Sequence, residues 1–180
     1  MTDAPAATRF PPRQRALHWL TFGLVAITYL LIELREDAPR GSALRTNLLQ
    51  SHVLVGLAIL VLVWPRIWHK LRLGSPPITP PLQRWQTQLS ALTHFALYAF
   101  LLVQPILGVL TIWMTGRGLP IFLTGLEIPS PFAGNHDWHE WFEDVHKQLG
   151  NVFYWVIGLH IAAALYHHFL RRDDSLTRLL

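Results

Sequence analysis

The sequence has no cysteine, which excludes disulfides, iron–sulfur clusters, thiolate zinc sites and cysteine nucleophiles. Charge is scarce as well. Lys, Arg, Asp and Glu make up 14% of the 180 residues, against about 25% in an ordinary soluble domain. With 51% hydrophobic residues and eight tryptophans, that deficit argues against a water-soluble or a disordered chain.

What the sequence does have is long apolar runs. Four of them, 16–34, 52–71, 89–114 and 146–170, approach the length of about 20 residues needed to cross a bilayer. Lipid admits only helices or closed barrels, and four strands cannot close a barrel. The expected fold class is therefore all-α: an integral membrane four-helix bundle, read as a single domain over 1–180. Between the runs, residues 33–51 read as a polar loop with Pro39 and Gly41. Residues 74–88 are proline-rich and extended. Residues 115–145 form the longest connection, with a short interfacial helix expected around 137–145. The first run has no small-residue cleavage site after it, so it reads as a retained span rather than a signal peptide.

Basic residues set the orientation. Arg9, Arg13, Arg15, Arg66, Lys70, Arg72, Arg84, Arg171, Arg172 and Arg178 fall on one side. The other side carries five basic residues and eight of the eleven acids. The positive-inside rule then places both termini in the cytoplasm.

Ten histidines in so apolar a chain need an explanation. An ionisable residue within a span is costly and by default functional. His146 and His160 are 14 residues apart, which puts them within about 40° on one helix face and about 21 Å apart along it. His52 begins the second run at the outer level, and His18 lies near the cytoplasmic start of the first. Each level thus has two imidazoles from different helices: His52 with His146, and His18 with His160. Two imidazoles facing across a bundle are what a bis-histidine haem needs. Gly23, Gly56, Gly150 and Gly158 give a flat macrocycle room, although small residues also serve simple helix packing. Zinc is the rival metal, but a structural zinc site gathers four ligands at one place.

The segments RALHWL at 15–20, SHVLVG at 51–56, HFALY at 94–98, and His146 followed by GLHIAAA at 158–164 together resemble the bacterial cytochrome b561 family. Within it they look most like the short members that act as superoxide oxidase. ELR at 33–35 and YHHF at 166–169 add to that likeness. The resemblance implies two haems b in a bacterial inner (cytoplasmic) membrane protein, with His18, His52, His146 and His160 as axial ligands. It also implies an activity, the transfer of electrons from superoxide to ubiquinone. The expected partners are then superoxide, ubiquinone, the lipid membrane and a possible redox protein, with no nucleic acid.

Three more residues are candidates for catalysis. Arg35 and Lys147 lie on the outer side, where a local positive field would gather superoxide; the alternative is scattered surface charge. His167, seven residues after His160, is suited to deliver protons to a quinone, or is simply an interfacial histidine. His94, one turn from Tyr98 on the third run, is open between a propionate or quinone contact and ordinary packing. His136, His139 and Glu143 share a helix face suited to a surface metal. Two other functions stay open: a haem b subunit linking a dehydrogenase or hydrogenase to the quinone pool, and a histidine-lined metal or proton transporter. Against the transporter, no Asp or Glu falls in the middle of a span.

Overall fold

The computed structural model describes residues 9–122 and 124–180. Four helices dominate it: α1 (Pro12–Asp37), α2 (Ala43–Leu73), α3 (Arg84–Trp113) and α4 (His136–Tyr166), the last continuing into a π-helical turn at His167–Arg171. All four are long and apolar enough to cross a membrane. Their outer faces carry exposed apolar side chains such as Val61, Phe95, Trp155 and Leu159, as lipid-facing helices require.

The helix ends follow local chemistry. Pro12 opens α1, where its missing N–H costs nothing. Pro39 forces Ala38 into extended backbone and so ends α1. Ser42 Oγ then accepts the Arg45 amide at 3.1 Å and starts α2. The expected polar loop at 33–51 is therefore only residues 38–42, with helix on both sides. Arg45 also donates to the carbonyls of Arg35 and Ala38, at 2.7 and 3.0 Å, satisfying the last acceptors of α1. Gln83 and Gln86 cap α3 reciprocally.

The proline-rich stretch is extended only to Gln83, because α3 begins at Arg84, and two further elements differ from expectation. The separate interfacial helix at 137–145 does not exist; those residues are the first turns of α4. No glycine or proline interrupts 136–149, Asn135 caps the start, and the pairs His136–Glu140, His139–Glu143 and Glu143–Lys147 run up one face. Helix propagation is therefore not broken before the apolar run. A short hairpin, β1 (Leu119–Ile121) with β2 (Leu126–Ile128), lies between α3 and α4. Leu119 is buried, and β1 packs against α2 and α3.

The first described residues and the C-terminal residues lie at the same end of the bundle. The Phe10 amide donates to the Arg178 carbonyl, and Trp19 Nε1 to the Leu179 carbonyl at 3.0 Å. The helices do not pack evenly. α1 packs on α2, α2 on α3, and α3 on α4, but no Cα of α4 lies within 8 Å of one in α1 or α2. The buried core, Ile59, Val63 and Leu101, belongs to α2 and α3. A slot therefore separates α4 from α1 and α2, bridged by side chains alone.

Candidate functional site

Histidines line that slot at two levels. At the level far from the termini, the rings of His52 (α2) and His146 (α4) face each other with centres 6.2 Å apart and planes at 80°. Each is held from behind. His52 Nδ1 donates to the Thr28 carbonyl at 3.0 Å, and His146 Nδ1 donates to the Gln104 carbonyl at 3.1 Å. A carbonyl only accepts, so in both neutral rings the proton sits on Nδ1 and the lone pair on Nε2. That is how metal-binding imidazoles are oriented. Gln104 completes the clasp by donating Nε2 to the His146 carbonyl at 2.8 Å.

At the level near the termini, His160 (α4) has the ring of His94 (α3) edge-on at 5.5 Å. His94 Nδ1 is tied to its own helix, donating to the Ser90 carbonyl at 2.6 Å. His18 (α1) stands edge-on to Trp19 at 5.3 Å, and lies within electrostatic reach of His160 and His94. Three imidazoles from three helices thus share this level.

The donor set fits a haem better than zinc. A metal bonded by two imidazoles at about 2 Å each puts the ring centres roughly 6 Å apart, as at His52 and His146. Among the described residues no group of three or more His, Asp or Glu is gathered to hold an ion, whereas a haem would bring its own nitrogen donors and ask the chain only for a facing pair. The slot supplies width. A Cβ added at Gly23, Gly56 or Gly158 would meet nothing within 4 Å, so these glycines are not there for tight helix packing. Gly150 is different: Gln104 Nε2 would lie 3.2 Å from its Cβ.

The family described as prokaryotic cytochrome b561 matches residues 9–180. The chain belongs to the prokaryotic cytochrome b561 family. It is 34% identical to "Cytochrome b561 homolog 1" of Escherichia coli (strain K12) over 173 residues, 96% of this chain and 97% of that protein. It is 35% identical to "Probable superoxide oxidase CybB" of Yersinia pestis over 167 residues, 93% of each. A "Cytochrome b562" of Cereibacter sphaeroides is 30% identical over 100% of this chain and 98% of its own length. Members bind haem b and transfer electrons, so this b561-type chain is a multi-pass haem protein of the bacterial inner membrane.

The charged candidates of this cytochrome are partly spoken for. Arg35 Nη1 pairs with Glu36 at 3.3 Å, and Lys147 Nζ with Glu143 at 2.7 Å. His136 and His139 pair with Glu140 and Glu143 along α4, and His139 Nδ1 donates to the Thr111 carbonyl at 2.8 Å. Those contacts account for the HDWHEWFE run as helix-face pairing.

His167 has a partner that sequence reading did not find. Its Nδ1 donates to Asp173 Oδ2 at 2.5 Å, and Arg171 Nε reaches the same oxygen at 3.2 Å. The Asp173 side chain is fully buried. The chain reverses there because Arg172 adopts a left-handed conformation (φ 58°) after the π turn. Burial pushes the Asp173 carboxyl up, but hydrogen bonds from His167 and Ser175 outweigh it and hold it below its ordinary 3.8. A depressed carboxyl stabilises the fold above its unfolded value, and that contribution is lost as pH falls through the folded value. Asp173→Asn is therefore expected to cost about 2 kcal/mol at neutral pH. The thermal midpoint in detergent reads this, and the difference from wild type should shrink only below about pH 4.

Gln104, Thr28 and Asp173 were missed for different reasons. Gln104 is a lone amide in an apolar run, which is a readable signal. Thr28 acts through its backbone carbonyl, which no side chain announces. Asp173 becomes a partner only through the chain reversal at Arg172.

Proposed function

We propose that the chain is a two-haem b oxidoreductase with both termini in the cytoplasm, oxidising superoxide at the far end and reducing ubiquinone in the membrane. The observation that carries this reading is the His52–His146 pair with both Nδ1 protons committed to carbonyls. His18 and His160 would hold the second haem. Haem, when bound, supplies one-electron transfer. The overall reaction balances: two superoxide ions become two O2, and one quinone takes two electrons and two protons to become the quinol.

The protein's own groups have separate tasks. Thr28 and Gln104 fix the imidazole tautomers. Arg35 and Lys147 attract an anion to the far end, each against a neighbouring carboxylate. His167, oriented by Asp173, holds and passes a proton at the end near the termini. The naming of a relative as a probable superoxide oxidase supports the choice of electron donor.

The test is superoxide-driven reduction of a soluble ubiquinone by purified protein, with the haem bands followed in the visible. Quinol should accumulate at half the superoxide consumed by the enzyme. A protein that contains haem b but whose bands do not respond to superoxide overturns the donor assignment. Lys147→Glu together with Arg35→Gln should slow the superoxide reaction on the order of tenfold at low salt, with the difference shrinking as salt is added.

A further inference from the structure

Arg66 lies 14 residues after His52 on α2, the same step that separates His146 from His160 on α4. It therefore shares the face of His52 and reaches the level of His160. Its Nη1 donates to the Leu17 carbonyl at 2.9 Å, at the residue before His18. Its guanidinium lies over the Tyr98 ring at 5.6 Å. Its Nε is shielded from solvent and has no partner among the described residues. None of the ion pairs among the described residues involves Arg66.

A guanidinium inside a span without a carboxylate is a costly arrangement. It implies that an anionic oxygen completes the site. The titratable side chains that share this level with Arg66 are the imidazoles of His18, His94 and His160 and the phenol of Tyr98, and none of them is a carboxylate. Lys70, one turn further along α2, is also cationic, and the nearby acids Asp173 and Asp174 already serve His167, Arg171 and Arg178.

We infer that Arg66 is the anchor for a propionate carboxylate of the haem held at the His18–His160 level. Its planar fork suits a carboxylate, with Nε and the remaining amino group as parallel donors. This rests on the two-haem reading of the site. Arg66 is a binding residue for the cofactor and takes no part in the electron chemistry. Its positive charge favours the more electron-rich, reduced form of that haem.

The test compares wild type, Arg66→Gln and Arg66→Lys as purified membrane protein. Haem is counted by pyridine haemochrome, each potential is measured by visible redox titration, and the propionate bending bands are read by resonance Raman. In Arg66→Gln one of the two potentials is expected to fall and to become pH-dependent, while the other stays. Retention of that haem during dilution should weaken by about tenfold or more. Arg66→Lys keeps the charge and is expected to hold both haems, with one propionate band shifted, so it carries the test if the glutamine variant fails to accumulate. Two haems with unchanged potentials and bands overturn the inference. So does a loss confined to quinone reduction, which would assign the anionic oxygen to the quinone. A wild type without two haems fails the underlying reading instead, and is recognised before any variant is compared.

Discussion

On the two-haem reading proposed above, His146→Ala is expected to carry one haem b per chain against two in the wild type, and His52→Ala is expected to match it. Each removes one side of a pair 6.2 Å apart whose other ring has its Nδ1 proton committed to a carbonyl, as a ligand bound through Nε2 would need. No nearby imidazole can take over: His139 lies seven residues earlier and is tied to the Thr111 carbonyl. Pyridine haemochrome per polypeptide measures the loss directly. The protein should also melt earlier, because a ligand present at a thousandfold its dissociation constant contributes about 4 kcal/mol to stability. Full haem content in either variant removes that residue from the ligand set. The same count separates the histidines at the other level. His18→Ala should halve the haem, whereas His94→Ala should retain both, since His94 is tied to its own helix through the Ser90 carbonyl. The reverse pattern would assign the third helix as the ligand donor.

The second large effect comes from a residue that touches no metal. A Cβ at Gly108 would stand 3.2 Å from Cε1 and 3.6 Å from Nδ1 of His146. Gly108→Val adds two further carbons beyond that point, pushing the ring off the Gln104 carbonyl. It is expected to lose the far-end haem as completely as His146→Ala does, although all four proposed ligands remain. Gly108→Ala asks the ring to yield only a few tenths of an ångström and should retain most of it. The sign is diagnostic. Replacing a mid-helix glycine by alanine normally favours the helix by about 0.5–1 kcal/mol, so haem loss without unfolding isolates the contact with the imidazole. Haem content and circular dichroism on the same sample make the comparison.

Much of this was readable from the chain, and the limits have physical causes. The four helices announce themselves because lipid demands about 20 apolar residues for each crossing. The 14-residue step from His146 to His160 gives two levels on α4, because helical geometry is regular. Depth does not say which rings face each other, however. His18, His94 and His160 share one level, and only the three-dimensional arrangement places His94 against His160. The start of α4 was misread because a polar, amphiphilic stretch looks like an interfacial element, whereas its pairs of opposite charge and its freedom from glycine and proline let it continue into the span. The hairpin at 119–128 is too short to carry a periodic signal. Arg66 was counted only as an orientation charge, because in a one-dimensional reading a cation near a span end has no reason to point inward.

The slot beside α4 has a consequence for how the protein comes to exist. Two helical pairs joined mainly through α2 and α3 resemble an open clamshell, and the prosthetic group would serve as its keystone. Newly inserted chains would then close only when supplied with porphyrin iron, and unfilled ones would expose loosely held helices to membrane proteases.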